Sequence, residues 1–462
     1  MRLTIDNSIT LNGISAELKD WLMEKLTFAN PKYEEAIKYN RYLGNISPTL
    51  KMYRDLPLGI SVPRGYLQLI ENTLLNKGFN LSISDNRILA SPIEVKSNIV
   101  LRPYQEKAKL DLLSHPNGML IAPAASGKTI MGLDLFASLR QRMLWLTHTN
   151  RLSQQVIERI IDVFEDVDKN EIGFLGAGKW KMGNRITIGM IPTLVRREVQ
   201  LPEMGREFGL VIIDEAHHVP ATTFLKVLGY FSSYYLYGLT ATPYRRDGLE
   251  NLMFAAIGRP NSEVKRKEVR KKGSIITPRV IKRVVPCSKW SDNDYSYIMK
   301  ELLPNNPVRL GMIVNDVVRE AELGNYCIVI NTRKNYAETL LAEIENRLPN
   351  RSVIATGDYS RKRNEESVGK IDRGEASILI TTFELLGEGF DVPRLNRGFI
   401  ALPFREKARV EQAVGRIQRT CEGKKDAILY DYVDENVGIL KNQFINRANV
   451  YRWLGMKITE EI

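Results

Sequence analysis

Two short segments carry the residue types needed to hold and cleave a phosphoric anhydride. The first, Ala122-Pro-Ala-Ala-Ser-Gly-Lys128-Thr129, fits a phosphate-loop pattern with Ala122 in place of the leading glycine. In such a loop, backbone N–H groups and a helix N-terminus cradle phosphates, Lys128 reaches the β- and γ-phosphates, and the Thr129 hydroxyl binds Mg²⁺. The second is Asp214-Glu215-Ala216-His217. Asp214 can hold Mg²⁺, directly or through water, and Glu215 can orient and deprotonate an attacking water. Either segment alone could be a glycine-rich turn or an acidic helix start. Their joint occurrence at the spacing of one doubly wound domain points to nucleoside-triphosphate hydrolysis.

Both segments need a scaffold that presents them on one rim. The apolar run 119–121 before the loop reads as a strand, and 128–139 after it reads as a helix. The run 210–213 before Asp214 reads as a buried parallel strand, and open α/β sheets bind ligands at the C-terminal tips of such strands. Strand-like runs at 119–122, 143–147, 186–189, 210–213 and 235–239 alternate with helical patterns, so residues 99–280 predict a parallel sheet covered by helices on both faces. After a basic stretch at 265–272, the alternation resumes with runs at 326–330, 352–355, 377–381, 397–402 and 427–433. Residues 281–440 thus predict a second sheet of similar size without a phosphate loop. Residues 1–98 mix short β-like runs at 3–5 and 9–11, a helix-like stretch at 17–26 and a tyrosine- and arginine-rich middle, which predicts a small α+β accessory domain. Residues 441–462 are expected to form a helical tail.

Bulk composition agrees with a multidomain enzyme. A chain of 462 residues exceeds the size at which single cores stop growing. Sixty-six Lys and Arg against 54 Asp and Glu leave a formal charge of +12, which suits a polyanionic partner. Cys287, Cys327 and Cys421 form no Cys-x-x-Cys, and four histidines add no zinc or iron–sulfur spacing. There is no apolar stretch of about 18 residues, and the start Met1-Arg-Leu-Thr-Ile-Asp lacks the apolar core of a signal peptide. A cytoplasmic protein without membrane contact is expected.

Further segments resemble the motifs of superfamily 2 helicases, from about residue 102 to 432. Leu101-Arg-Pro-Tyr-Gln105 is similar to the adenine-reading segment ahead of the phosphate loop, which implies that Arg102 and Gln105 join Ala125, Ser126, Gly127, Lys128 and Thr129 in binding ATP. Leu239-Thr-Ala-Thr-Pro-Tyr-Arg-Arg-Asp-Gly248 resembles the third motif, which implies that Thr240 and Thr242, with His217, couple hydrolysis to nucleic acid. Its continuation, Arg245-Arg246-Asp247, departs at the middle residue from the Arg-Glu-Asp signature of the XPB-like branch. Gly387-Glu-Gly-Phe-Asp391-Val-Pro resembles the fifth motif, with Gly389 and Asp391 in the nucleotide site. Gln412-Ala-Val-Gly-Arg416-Ile-Gln-Arg419 resembles the sixth, with Gln412 coupling and Arg416 and Arg419 as arginine fingers. The i, i+3 spacing of the two arginines predicts one shared helical face.

The resemblance implies two RecA-like domains, ATP and Mg²⁺ as cofactors, and phosphate contacts by Thr147, Arg151, Thr193, Arg245 and Arg246 in the first domain and Thr332, Arg333 and Thr381 in the second. Among the branches, the DNA-acting XPB-like and phage UvsW-like group fits best. Leu58-Gly-Ile-Ser-Val-Pro-Arg-Gly65 resembles the region before the motor in phage recombination helicases. A monomeric helicase or translocase that remodels forked or four-way DNA in recombination, repair or replication is therefore expected, with a single strand in the motor cleft and recombination or replication proteins as further partners. For a phage-encoded chain the host cytoplasm is its place. Two alternatives stay open: a restriction or defence motor with a separate nuclease, and an ATP-gated switch that clamps nucleic acid. The tyrosines at 230, 234, 235 and 237 read as core and sheet face rather than base-stacking groups, and the basic run at 265–272 reads equally as a phosphate-binding or a solvated linker helix.

Overall fold

Apolar runs buried on both faces, such as Met143–Thr147 and Leu210–Asp214, can only be interior parallel strands, and the computed structural model places them so. It describes residues 1–462 except 77, 81, 124, 217–220, 242–249, 272–275, 287–293, 388–391, 405 and 462. The chain divides into two units, Met1–Arg266 and Lys267–Ile462.

The first unit opens with β1 (Arg2–Ile5), β2 (Ser8–Asn12), the short pair β3 (Thr27–Ala29) and β4 (Thr49–Lys51), then β5 (Arg54–Leu56), β6 (Gly59–Pro63) and β7 (Ser82–Asp85). Five of these form a mixed sheet in the order β5-β6-β2-β1-β7. Period-2 burial along β1 and β2 turns Leu3, Ile5, Ile9 and Leu11 inward. They pack with Leu252 and Ala255 of the helix Glu250–Ile257, so the accessory sheet shares a core with the larger one. Two residues of the segment singled out at 58–65 make that junction. A Cβ on Gly65 would lie 2.2 Å from the Phe254 carbonyl oxygen and 2.4 Å from that of Ala255. Arg64 is buried and donates to the carbonyls of Ser233 at 2.7 Å and Tyr234 at 3.0 Å. Burial, and then the nearby Arg87, pulls the Arg64 guanidinium down to about 9. Arg87 stacks 4.3 Å from the Tyr234 ring centre, Tyr235 and Tyr237 stack on each other, and the buried Tyr237 donates to the His115 carbonyl at 2.7 Å.

The larger sheet of this unit comprises β8 (Asn117–Ile121), β9 (Met143–Thr147), β10 (Gly173–Gly176), β11 (Lys179–Lys181), β12 (Ile186–Met190), β13 (Leu210–Asp214), β14 (Tyr235–Thr240) and β15 (Pro260–Glu263). Their order is β11-β10-β12-β9-β13-β14-β8-β15, parallel except for the edge strand β11. The C-terminal tips of β8, β14 and β13 are therefore neighbours.

The second unit holds β16 (Arg279–Val284), β17 (Cys327–Asn331), β18 (Ser352–Ala355), β19 (Ile378–Thr382), β20 (Arg397–Ile400), β21 (Ile428–Val433) and β22 (Ile458–Glu461), in the order β18-β19-β17-β20-β21-β16-β22, all parallel. The C-terminal stretch differs from the tail expected from residue 441. The helix Gly438–Trp453 packs on this sheet, and β22 pairs with β16 as an edge strand. Buried Arg447 fixes that helix by donating to both oxygens of buried Asp431, each at 2.8 Å, and to the Phe404 carbonyl at 2.8 Å. No helix among the described residues is long and apolar enough to cross a membrane.

Candidate active site

Strand β8 delivers the chain into the loop Ala122–Gly127, and the helix Lys128–Leu139 leaves it. Reversing direction in so few residues needs left-handed backbone. Gly127 caps the helix at φ +84° and Ala125 lies at φ +62°. For alanine this conformation costs about 1–2 kcal/mol, the kind of strain that the surroundings must hold at a functional loop. They do so with directed hydrogen bonds. The Ser126 carbonyl accepts from the Gln105 Nε2 at 2.8 Å and from the Tyr104 hydroxyl at 3.0 Å, and the Gln105 Oε1 accepts the Arg102 backbone N–H at 2.8 Å. At the loop's first residue, the Ala122 N–H donates to the Thr240 carbonyl at 2.9 Å, which ties the phosphate loop to the tip of β14.

Lys128 stands at the centre of this arrangement. Its Nζ donates to the Ala122 carbonyl at 3.2 Å and lies 3.5 Å from Glu215 Oε1. Glu215 follows β13 at φ +48°, a second strained non-glycine position at this rim. Asp214, only 5 % exposed, precedes it. Burial first, and then the neighbouring Glu215 charge, raises the Asp214 carboxyl above its ordinary range, while Lys128 pulls it down. Two adjacent carboxylates beside a lysine, one of them buried, suit a divalent cation, whose charge would offset that burial. Thr129 is half-buried in the first helical turn and offers the hydroxyl a Mg²⁺ site needs. The donor set thus fits Mg²⁺.

In the second unit, Arg416 lies on the helix Lys407–Ile417 and donates to the Leu386 carbonyl at 2.7 Å. Gln412 is one turn earlier on the same helix and half-buried. The expected shared face for Arg416 and Arg419 needs correction. The helix ends at Ile417 with Gln418 as its cap, so Arg419 lies beyond it and i, i+3 helical geometry does not relate the two side chains.

The residues expected to touch nucleic acid divide into two kinds. Thr147 is fully buried, with its hydroxyl 2.7 Å from Ser153 Oγ and 3.3 Å from the Thr149 carbonyl, and Thr381 is buried with its hydroxyl on the Thr382 carbonyl. Arg151, Thr193, Thr332 and Arg333 are half-buried. Arg333 caps the helix Lys334–Arg347, and its backbone N–H donates to Asn331 Oδ1 at 2.7 Å. His217, Thr242, Arg245, Arg246, Gly389 and Asp391 lie outside the described residues. Tyr104, whose hydroxyl positions the phosphate loop, is a further site residue, and its signal in the sequence is its place beside Gln105 in the 101–105 segment. The positive φ of Glu215 has no signal in the local sequence.

Two family models match the chain: "Type III restriction enzyme, res subunit" over residues 98–245 and "Helicase conserved C-terminal domain" over 311–421. A probable helicase D10 of Escherichia phage T5 is 25% identical over 387 residues, spanning 82% of this chain and 81% of that protein. The DNA 3'-5' translocase XPB2 of Sulfurisphaera tokodaii is 26% identical over 393 residues, spanning 76% of this chain and 86% of that protein. Among solved structures, a fragment of a putative HsdR subunit of a type I restriction enzyme from Vibrio vulnificus aligns with TM-score 0.57 at 18% identity, over 73% of this chain and 65% of that one, which is a likeness of fold.

Proposed function

The chain belongs to the superfamily 2 helicases, with two RecA-like domains and an ATP-dependent activity, and from that premise we propose that it is a DNA translocase that remodels branched DNA. The hydrolytic half of this reading is carried by the Lys128–Glu215 approach of 3.5 Å beside buried Asp214. Lys128 binds the terminal phosphates together with the loop N–H groups, and Glu215 orients a water and takes its proton. Asp214 and Thr129 would hold Mg²⁺, which neutralises charge on the phosphate oxygens when bound. The role assigned to Arg416 and Arg419 is to stabilise the charge that spreads over the γ-phosphate during transfer. Thr240, joined to Ala122 by a backbone hydrogen bond, transmits the state of the phosphate loop to β14.

The branched-DNA half rests on kinship with a DNA translocase and a phage helicase, and on the Arg64–Gly65 junction. An accessory sheet sharing a core with the motor sheet moves with it, so residues 1–98 can hold duplex or fork while residues 99–280 and 281–440 act as the two motor domains. The decisive measurement is steady-state ATP hydrolysis with single-stranded DNA, duplex DNA, a four-way junction and RNA, beside Lys128→Ala. Preferential stimulation by the junction supports the reading, and stimulation by RNA alone overturns it. The restriction-subunit description of the model matching 98–245 favours a second reading, a motor serving a separate nuclease. That reading expects stimulation by linear duplex equal to that by the junction. A clamp that merely switches expects strand displacement to survive Glu215→Gln.

A further inference from the structure

The second unit contains a cavity of about 540 Å³ at the C-terminal ends of β17 and β20, within the size range of small-ligand sites. One wall is the helix Gly438–Trp453, on which Ile439, Asn442, Gln443 and Asn446 recur at i, i+3, i+4 and i+7 and so share one face. Three carboxamides on that face line the cavity. Gln443 is only 6 % exposed, and its Oε1 has no hydrogen-bond partner among the described residues. A buried amide oxygen left so carries a desolvation cost that a bound donor would remove. Tyr295, Phe404 and Arg333 also line the cavity; Tyr295 is exposed, and the buried Nε of Arg333 likewise has no partner among the described residues. The wall is stiff: Arg447, next to Asn446, joins the helix to Asp431 and to the Phe404 carbonyl.

We infer that this cavity receives one unstacked nucleobase of the bound strand, with its phosphate at Arg333 and Thr332. The inference rests on the nucleic-acid reading above and deepens it by naming a base-holding site beside residues assigned only to phosphates. Neutral, planar groups bearing donors and acceptors along one edge are what paired carboxamides recognise, and bases splayed from a strand are held by aromatic faces together with such edge contacts. An acyl chain would leave the amide face unmatched. Free nucleoside monophosphate shares this chemistry and is separated from the strand by experiment.

The test uses the full chain and fluorescence anisotropy with a labelled oligothymidine and a strand of equal length made of abasic sites. Stacking and edge contacts to one base correspond to roughly tenfold in affinity. Wild type should bind the base-bearing strand about tenfold more tightly than the abasic one. Asn442→Ala with Asn446→Ala, both at exposed side chains, should bring that ratio close to one by weakening binding of the base-bearing strand, and Gln443→Leu should do the same. A ratio of one in wild type, or a wild-type ratio retained in both variants, overturns the inference. Thymidine monophosphate binding that the variants abolish, without strand discrimination, would make this a free-nucleotide site and overturn it too. Binding of neither strand would overturn the inference together with the reading it rests on, whereas equal tight binding of both strands overturns the inference alone.

Discussion

Gly127→Ala tests how the phosphate loop is held, because the substitution meets two separable obstacles. The first is conformational: at φ +84° an alanine pays about 1–2 kcal/mol that glycine does not. The second is steric: the new Cβ would lie 2.4 Å from Gln105 Nε2. That amide must move and give up its 2.8 Å bond to the Ser126 carbonyl, which adds about 1 kcal/mol. The single variant should therefore lose about 2–3 kcal/mol in urea unfolding of the first unit. Gln105→Ala should itself cost about 1–2 kcal/mol, since it removes the bonds to Ser126 and to the Arg102 N–H. In the double variant the clash is gone, while the left-handed alanine and the lost Gln105 bonds remain. The two effects should then fall short of their sum by about 1 kcal/mol, a coupling that a double-mutant cycle resolves. ATP hydrolysis should show the same pattern, with KM raised by Gly127→Ala and partly restored in the double variant. Strict additivity in stability would refute the claim that Gln105 braces the loop through contact at Gly127.

Three further outcomes are expected. Glu215→Gln should lower ATP turnover by about a hundredfold or more while ATP binding, followed by a fluorescent analogue, is retained; unchanged turnover would remove Glu215 from the chemistry. Arg447→Ala leaves Asp431 charged and buried, so the second unit should lose about 3–5 kcal/mol in urea unfolding, and Arg447→Met with Asp431→Leu should cost less than that single change. Burial pulls Lys424 down from 10.5 to about 8, although its ammonium donates to the carbonyls of Pro393 and Leu395. A lysine with a lowered folded pKa binds fewer protons folded than unfolded. Its contribution to stability therefore rises between about pH 8 and 10.5, by about 1–2 kcal/mol after discounting for partial exposure. The stability difference between wild type and Lys424→Met, measured across that window, should track this rise, and a flat difference would contradict it.

The legible parts of the fold are those in which one physical pattern dominates. Strand β9 has the expected bounds, 143–147, because buried parallel strands read as unbroken apolar runs; β18 also has its expected bounds, 352–355, although it is a half-buried edge strand. The helix Lys128–Leu139 also has its expected bounds, set by a glycine before it and a left-handed Arg140 after it. No unbroken apolar run marks β15, β16 or β22. Pro260–Glu263 and Ile458–Glu461 are short and polar, and Arg279–Val284 is broken by charges. Those charges are answered only in three dimensions: Lys282 by Glu435 and Glu460, and Arg283 by Asp316 at 3.0 Å. Similarly, periodicity alone could not reveal that Gln418 ends the helix between Arg416 and Arg419.

At the candidate site, residue identities were legible and conformations were not. Lys128, Asp214 and Glu215 follow from motif spacing, yet the left-handed backbone at Ala125 and Glu215 opposes local preference. Such strain persists only where the surroundings over-determine it. Here they do so from several directions: β13 is buried along its whole length, Ala122 is bonded to Thr240, and Ser126 is bonded to Tyr104 and Gln105. The bond to Thr240 also carries a mechanical consequence. A loop that shifts when phosphates arrive or leave must move the tip of β14 or break that bond. The segment leading toward the residues assigned to coupling therefore feels the nucleotide directly.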